Sequence, residues 1–331
     1  MLASLPAALL SAAPVHTSYL PLPAAPGQRV ALHCIAPVHA NGRSVLFVHG
    51  ASFPTLLAAG FEFAPGDSWM AFAARRGYLA CGLDFIGFGA SSRPPSMTGG
   101  GAGMPVTRAP DAAAQIALAV ERLRAAPGIG AVHLVAHSWG TLPAAAFAAA
   151  HPRALASLTL FGPVTPAAHP KFEPVRNAWW GISAQERYQQ LRYAQVLPPG
   201  KVLLEPAVDA VWAGRFQASV PRVAGDRPGQ LRIPSGPLAD IGDAEAGRYP
   251  YVASGVRVPV FVVYGDYDTV VGGDAAAAAF LERFSASPLR WRLCIDDGTH
   301  VMHLERARRS LYESVDAFLH AADLHAAEAQ R

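Results

Sequence analysis

Short apolar runs alternate along this chain with alanine-rich segments whose polar residues recur at helical spacing. The runs are rich in Val, Leu, Ile and Phe and are nearly continuous, as is typical of strands buried on both faces. Strands of this kind separated by helices predict an α/β fold, with a mostly parallel sheet flanked by helices. Asp67 and Asp111 stand at two predicted helix starts, where an N-cap is expected. The predicted strands are 30–35, 45–48, 78–83, 132–135, 155–161, 260–264 and 290–295, and the predicted helices are 67–76, 111–124, 139–150, 274–284 and 304–324.

The alternation stops between residues 163 and 257. This stretch is rich in Pro, Trp, Tyr and Arg, contains the helical pieces 183–195 and 205–217, and lacks a clear core strand. It predicts a largely helical cap or lid of residues 163–257, inserted after the strand near residue 160 into a core of residues 1–162 and 258–331. A second independent domain is the alternative interpretation.

Composition narrows the class of protein. The 331 residues are 51% hydrophobic and 15% charged, so the chain can bury one large core. A formal net charge of +3, without Lys/Arg blocks interleaved with aromatics, argues against nucleic acid as a partner. No apolar run approaches the roughly 18 residues that a membrane span requires. The expected partner is a small-molecule substrate. Formation of a homodimer is left as an open alternative.

Cysteine usage and the N-terminus bear on location. Cys34, Cys81 and Cys294 are odd in number and scattered, which predicts buried free thiols and a reducing compartment. Residues 1–14 are apolar, but no Lys or Arg precedes the apolar stretch and Pro14 lies close to where cleavage would fall. We therefore expect a cytoplasmic protein, with an N-terminal export signal as the alternative.

The most informative motif is the segment LVAHSWGT around Ser138. An apolar strand, then a serine with small residues two positions to either side, then a helix is typical of a nucleophile elbow, although the pattern also arises by chance. Ala136 and Gly140 avoid the collisions that bulky residues would make in so sharp a turn. The turn would hold Ser138 in a strained backbone conformation with its hydroxyl exposed.

A serine nucleophile needs a base, and the base needs a carboxylate that orients it. In the order nucleophile, acid, base, the candidates follow the last two predicted strands. Asp268 is the expected acid, with Asp266 as an alternative that would instead cap the turn. His300 is the expected base because it follows a small turn-forming pair, whereas His303 is expected to pack or to face solvent. The expected catalytic set is therefore Ser138, Asp268 and His300.

An oxyanion hole would require two N–H donors. The backbone N–H of Trp139, directly after the serine, is one candidate. The other is the N–H of Ala51, because Gly50 allows a sharp turn after the strand that ends in His49. Ser52 is the weaker candidate for this second donor.

These motifs together resemble those of the α/β-hydrolase superfamily, in its capped serine-hydrolase branch. The resemblance rests on five segments in the family's order, and it implies a Ser-Asp-His triad and no metal or organic cofactor. Ser138 stands where some relatives carry an aspartate nucleophile, which disfavours an alkyl-enzyme mechanism. Two departures are Ala136 in place of the more usual Gly, and Pro143, which predicts a locally bent helix start. The matching segments are His49-Gly50, residues 84–91, the elbow, Gly265-x-x-Asp268 and Gly298-Thr299-His300.

The inserted segment is the expected source of substrate specificity. Trp179, Trp180 and Trp212 are candidates to line an apolar pocket, with packing of the core of the lid as the alternative interpretation. Eleven Lys/Arg against eight Asp/Glu in the segment predict a solvated basic surface, with an anionic substrate as the alternative.

The expected function is that of a serine esterase, a carboxylic-ester hydrolase acting on a small to medium apolar ester or lactone through an acyl-enzyme. A thioesterase and a C–C bond hydrolase remain alternatives. So does an amidase similar to proline iminopeptidases, for which Glu173, Glu186 and Glu205 are candidates to hold a substrate amine. The non-enzyme alternative is a ligand-binding receptor that resembles this family.

Overall fold

A computed structural model describes residues 14–170 and 174–329. Each strand and helix expected from the sequence has its counterpart in this structure, with ends that differ by a few residues. The strands are β1 (His16–Pro21), β2 (Arg29–Ile35), β3 (Arg43–Val48), β4 (Leu79–Asp84), β5 (Ala131–His137), β6 (Ser157–Phe161), β7 (Trp179–Ser183), β8 (Gln230–Pro234), β9 (Val260–Gly265) and β10 (Arg290–Ile295). The helices are α1 (Trp69–Arg75), α2 (Ala109–Arg124), α3 (Thr141–Ala150), α4 (Ala184–Leu191), α5 (Pro206–Ser219), α6 (Gly236–Glu245), α7 (Asp274–Glu282) and α8 (Arg308–Ala329).

Eight strands form one sheet in the order β1-β2-β4-β3-β5-β6-β9-β10. The pairs β1–β2 and β2–β4 are antiparallel, and the other neighbours in this sheet are parallel. The mostly parallel α/β fold expected from the sequence is therefore confirmed. Parallel strands end at the same edge, so the loops after β3, β5, β9 and β10 meet there.

Helices cover both faces of this sheet. In β3, Val45 and Phe47 pack with residues of α1 and α8, whereas Leu46 and Val48 pack with residues of α2 and α3. This alternation follows from the two-residue period of a strand, which sends neighbouring side chains to opposite faces. Both faces of the strand are apolar because both are buried.

Two cysteines form a disulfide, so the expectation of three free buried thiols is wrong. Cys34 lies directly opposite Cys81 in the β2–β4 pair, and the two sulfurs are bonded. The spacing of 47 residues along the chain gave no sign of this pairing. Cys294 is free, as expected, but it is exposed on β10. The argument for a reducing compartment relied on free thiols and loses its basis here, and the cytoplasmic location stays a prediction.

Both predicted N-caps were also wrong. Ser68 caps α1 by accepting a 3.0 Å hydrogen bond from the Ala71 N–H. Asp67, one residue earlier, instead pairs with the guanidinium groups of Arg308 and Arg309. Helix α2 begins after Arg108, which places Asp111 inside the first turn, where a carboxylate still favours the helix dipole.

The segment between β6 and β9 contains α4, α5 and α6, together with a two-stranded antiparallel sheet of β7 and β8. The two helical pieces expected there correspond to α4 and α5, whereas α6 and the small sheet were not anticipated. Trp212 of α5 donates a 3.1 Å hydrogen bond from its indole to the Leu57 carbonyl, which ties the segment to the loop after β3. Within the described residues, no helix is long and apolar enough to cross a membrane. Residues 1–13, which include nearly all of the stretch considered as an export signal, lie outside the described residues.

Candidate active site

The turn after β5 has the backbone strain that the motif predicts. Ser138 has a φ of 56°, in the left-handed region that non-glycine residues rarely adopt. A Cβ at Gly140 would clash with the carbonyl oxygen of His49, and Ala136 is fully buried. Both flanking residues are therefore small because the loop after β3 lies directly against the elbow.

The helix start after the serine is locally altered rather than broken. Ser138–Gly140 form a short 3-10 helix, and α3 begins at Thr141. Pro143 then lies in the first turn of α3, where its missing N–H costs no helical hydrogen bond. The Thr141 hydroxyl donates a 2.6 Å hydrogen bond to the Ser138 carbonyl, which steadies this turn.

The structure brings Ser138, His300 and Asp268 into one hydrogen-bonded chain. His300 Nε2 lies 2.7 Å from Ser138 Oγ, and His300 Nδ1 lies 3.0 Å from both carboxylate oxygens of Asp268. The three residues are 8%, 6% and 4% exposed, so the chain is almost closed off from solvent. With Asp268 holding a proton on Nδ1, Nε2 is free to accept the serine proton, which is the arrangement that activates a hydroxyl.

The two competing carboxylates after β9 have different roles. Asp268 also accepts hydrogen bonds from the backbone N–H groups of Val270 and Val271, at 3.0 and 3.3 Å, which hold its carboxylate toward the histidine. Asp266 accepts a 3.0 Å hydrogen bond from the Gly298 N–H. Asp266 therefore stabilises the loop that carries His300 and does not bind His300 itself.

A buried carboxyl group supports the same loop from its other side. Glu305 accepts a 2.8 Å hydrogen bond from the Thr299 N–H and a 2.5 Å hydrogen bond from the Thr299 hydroxyl. Burial raises the pKa of Glu305 to about 7, although the Thr299 hydrogen bonds act in the opposite direction. The side chain next to His300 in sequence is thus held by a carboxyl group poised to titrate near neutrality.

His137, next to the serine, contacts the candidate base in a way that the sequence pattern did not reveal. Its Nε2 donates a 2.7 Å hydrogen bond to the backbone carbonyl of His300. Burial, with further repulsion from His303 and His300, lowers the pKa of His137 well below its usual value. His137 is therefore neutral, with its proton on Nε2, and joins the elbow to the loop after β10.

His303, the alternative base, lies in the core. It is 1% exposed, and its ring packs against His137, Phe53 and Phe161. Burial lowers the pKa of His303 to about 3. His300 alone of these two histidines reaches the serine.

The loop after β3 passes directly beside the serine. A Cβ at Gly50 would lie 3.0 Å from Ser138 Cβ and 3.5 Å from Ser138 Oγ. His49 Nδ1–H donates a 2.8 Å hydrogen bond to the Gly50 carbonyl, which fixes the peptide group that also carries the Ala51 N–H. Among the described residues, the Ala51 N–H makes no hydrogen bond. The loop that carries Ala51 therefore lies beside Ser138, and the pairing of the Ala51 and Trp139 N–H groups as an oxyanion hole stays a prediction.

Asp84 holds this loop in place. Its carboxylate accepts a 2.8 Å hydrogen bond from the Thr55 N–H, just after the loop, and a 3.0 Å hydrogen bond from the Ala90 N–H. The same carboxylate lies 2.9 Å from His33 Nε2. Asp84 is 1% exposed. The carboxylate at the start of segment 84–91 therefore has a structural role beside the site.

The three tryptophans named as substrate-binding candidates occupy different environments. Trp212 is fully buried and packs edge-on against Phe53. Its indole N–H donates to the Leu57 carbonyl, so Trp212 joins the insertion to the loop after β3. Trp179 is half-buried beneath the guanidinium of Arg232, 4.1 Å from its ring centre. Trp180 is half-buried and pairs with Ile233 across the small sheet.

The carboxylates considered for holding a substrate amine are largely engaged elsewhere. Glu186 forms a capping box with Ser183 at the start of α4. Glu205 pairs with Arg308. Glu173 lies outside the described residues. In residues 14–170 and 174–329, no group of three or more His, Cys, Asp or Glu is placed to hold a metal ion.

A family model described as the alpha/beta hydrolase fold matches residues 44–307. The chain belongs to the α/β-hydrolase family. No curated protein matches this α/β-hydrolase significantly in sequence.

Solved structures of similar fold come from several kinds of enzyme. One is a thioesterase domain from the curacin biosynthetic pathway, with a TM-score of 0.58, 18% identity, and coverage of 91% of this chain and 99% of that one. Another is a thermophilic esterase from Thermogutta terrifontis, with a TM-score of 0.56, 18% identity, and coverage of 93% and 99%. A third is an E-2-(acetamidomethylene)succinate hydrolase, with a TM-score of 0.55, 19% identity, and coverage of 92% and 99%. At these identities the likeness is one of fold.

Proposed function

We propose that this α/β-hydrolase is a serine hydrolase that cleaves a carboxylic ester or lactone through an acyl-enzyme intermediate. The observation that carries the proposal is the chain Ser138 Oγ to His300 Nε2, at 2.7 Å, and His300 Nδ1 to Asp268, at 3.0 Å. An acyl-transfer reaction needs this arrangement, in which a carboxylate orients a histidine against a serine hydroxyl.

The reaction proceeds in two steps. His300 accepts the Ser138 proton while Ser138 Oγ attacks the carbonyl carbon, and Asp268 stabilises the imidazolium that forms. The Ala51 and Trp139 N–H groups donate to the oxyanion, and His300 then protonates the departing alkoxide. In the second step His300 accepts a proton from water, the resulting hydroxide equivalent attacks the acyl carbon, and Ser138 Oγ leaves and takes the proton back.

Residues 163–257 act as a cap in this proposal. Ser138, Asp268 and His300 are each less than a tenth exposed, and we propose that this segment moves to admit a substrate to Ser138. Two contacts between the segment and the core support this role: Trp212 with Leu57, and Lys201 with Asp297. A closed cap would also exclude water during acylation.

A Ser138→Ala variant tests the assignment. We expect wild-type protein to hydrolyse p-nitrophenyl butyrate and to react covalently with a fluorophosphonate probe, and Ser138→Ala to do neither, with turnover lowered by at least about a thousandfold. Ser44→Ala is the matched control, because Ser44 is equally buried but lies at the start of β3, far along the strand from the site. Turnover above about a tenth of wild type in Ser138→Ala would exclude the proposed nucleophile.

A further inference from the structure

One cation of the inserted segment reaches the loop beside the candidate nucleophile. Arg187 of α4 donates a 2.9 Å hydrogen bond from Nε to the hydroxyl of Ser52. Ser52 directly follows Ala51, and Gly50, one residue earlier, touches Ser138. The guanidinium also lies over the ring of Phe53, 5.7 Å from its centre. Arg187 therefore lies above the loop that carries one of the proposed oxyanion donors.

Arg187 has no acidic partner among residues 14–170 and 174–329. Its recorded hydrogen-bond acceptors are Ser52 Oγ and, at 2.8 Å, Gln190 Oε1, and both are neutral. The neighbouring Glu186 carboxylate is engaged in the capping box of α4. The side chain is only partly exposed, and burial lowers the pKa of Arg187, although a guanidinium keeps its charge at any physiological pH. A partly desolvated cation without a carboxylate is costly to the free protein.

Two other cations of the segment have acidic partners. Arg232, the most buried of them, pairs with the Asp226 carboxylate and donates to two backbone carbonyls. Lys201 pairs with Asp297. Because these two side chains have carboxylate partners and Arg187 has none among the described residues, a carboxylate from outside the chain would satisfy the guanidinium.

Tyr193 adds a second polar group on the same side of the insertion. It directly follows the C-terminal turn of α4 with a φ of 49°, a position at which glycine is favoured. A tyrosine in this conformation costs backbone free energy, which indicates a use for its side chain. Burial raises the pKa of Tyr193, Asp268 raises it further and Arg187 acts in the opposite direction, so the tyrosine interacts electrostatically with both Asp268 and Arg187.

We propose that Arg187, with the Tyr193 hydroxyl as a second polar group, binds a carboxylate carried by the substrate. This inference rests on the proposed function and makes it more specific: the substrate is an ester with a free carboxylate at one end and an otherwise apolar body. The guanidinium donates two parallel hydrogen bonds to the carboxylate oxygens, as is usual for such pairs. This revises the interpretation of the basic excess in the segment as merely a solvated surface.

Paired esters test the proposal. We compare kcat/KM for mono-p-nitrophenyl glutarate, whose acyl part carries the carboxylate, and for 4-acetoxybenzoate, whose alcohol part carries it, each with a neutral ester of similar size. Wild-type protein should favour at least one charged ester over its neutral counterpart. In Arg187→Gln, that preference should fall tenfold or more, mainly through KM, because a charge-assisted pair is lost. Arg187→Lys should restore part of it.

The control is Arg192→Gln, which removes the same charge from an exposed position five residues further along. It should leave both rates and the preference at wild-type values. A wild-type protein without preference for either charged ester would overturn the proposal. An Arg187→Gln variant whose kcat/KM falls by the same factor for charged and neutral esters would also overturn it. That result would indicate that the contact between Arg187 and Ser52 only anchors the insertion to the loop after β3.

A binding measurement separates this inference from the function on which it rests. In Ser138→Ala, titration calorimetry should detect glutarate but not the neutral 1,5-pentanediol, and adding Arg187→Gln should abolish the glutarate signal. If no ester is hydrolysed but glutarate still binds through Arg187, the proposed reaction fails and the carboxylate site holds. If esters are hydrolysed and glutarate does not bind, the carboxylate site fails and the proposed reaction holds.

Discussion

The indole of Trp139, directly after Ser138, donates a 2.9 Å hydrogen bond to the carboxylate of Asp240 on α6. The same carboxylate binds the Arg108 guanidinium and, at 2.7 Å, the Ala109 N–H at the start of α2. Asp240 is 3% exposed, and burial raises its pKa despite these donors. The inserted segment thus holds the residue that carries a proposed oxyanion donor.

We therefore expect Asp240→Asn to lower both stability and activity. The neutral amide accepts fewer of these hydrogen bonds and leaves Arg108 with a weaker partner, so the free energy of unfolding should fall by about 2 kcal/mol. Ester turnover should fall as well, because Trp139 is no longer held. Urea unfolding and steady-state kinetics measure the two effects.

Asp243→Asn is the control for Asp240→Asn. Asp243 pairs with the same Arg108 but does not contact Trp139, and its side chain is 29% exposed. The Asp243→Asn substitution should lower the free energy of unfolding only slightly and leave turnover unchanged. Equal kinetic losses in the two variants would show that the contact with Trp139 is unimportant.

A second prediction concerns the hydrogen bond from His137 to the His300 carbonyl. His137→Phe keeps an aromatic ring against Phe161 but leaves the buried carbonyl without its donor, at a cost of about 1–3 kcal/mol. The loop that carries His300 should become less ordered, so kcat should fall more than KM rises. Kinetics on p-nitrophenyl butyrate and hydrogen exchange of residues 297–303 measure these effects.

The matched control for His137→Phe replaces His151, which also stacks on a phenylalanine but ends α3 at an exposed position. His151→Phe should change neither the kinetics nor the hydrogen exchange of residues 297–303. A His137→Phe variant with unchanged kcat and unchanged exchange would remove the proposed positioning role.

A third prediction follows from Glu305. The pKa of Glu305 is about 7 in the folded protein, above the ordinary value of 4.5. Between these two pH values, the folded state therefore retains a proton that the unfolded state has lost. The free energy of unfolding should therefore decrease as pH rises from 4.5 to 7, by about 3 kcal/mol over the whole window. Glu305→Gln should remove this slope, because an amide does not titrate.

Unfolding curves at several pH values in that window measure the slope, with Glu282→Gln as the control. Glu282 pairs with Arg290 at the surface, and its side chain is 75% exposed. Glu282→Gln should follow the wild-type pH dependence. A constant difference between wild type and Glu305→Gln from pH 4.5 to 7 would contradict a raised pKa for Glu305.

A fourth prediction concerns the disulfide between Cys34 and Cys81. Thiol titration of the unfolded, unreduced protein should detect one thiol, that of Cys294, and three thiols after reduction. The double variant Cys34→Ala/Cys81→Ala should lose about 2–4 kcal/mol of stability, since the bond closes a long loop. Cys294→Ala, at an exposed position, should lose none. Three thiols in the unreduced protein would rule out the bond.

Much of the fold was predictable because its signals are local. Apolar runs of strand length and alanine-rich helical segments depend on neighbours a few residues apart, and each such segment occurs in the structure. The small residues around Ser138 were predictable for the same reason. Strands β1 and β7 were missed because their half-exposed residues do not form an apolar run, and β8 was missed because Arg232 interrupts its short apolar stretch.

Contacts between distant parts of the chain could not be predicted from the local sequence pattern. The bond between Cys34 and Cys81 depends on the register of β2 against β4, and the partner of Trp139 comes from 101 residues further along the chain. The N-cap prediction for Asp67 was wrong for a related reason. Asp67 pairs with arginines of α8, and no local sequence pattern predicts these contacts.

The sequence by itself determined the class of fold, the strained serine turn, and the order in which an acid and a base follow it, because each depends on residue types at short spacing. Only the tertiary structure decided that His300 rather than His303 reaches Ser138 and that Asp268 rather than Asp266 orients His300. It also decided that Arg187 lies beside the loop after β3 without a carboxylate partner in the part of the chain that the structure describes. Distances of about 3 Å between side chains far apart in sequence arise from how strands register and helices pack.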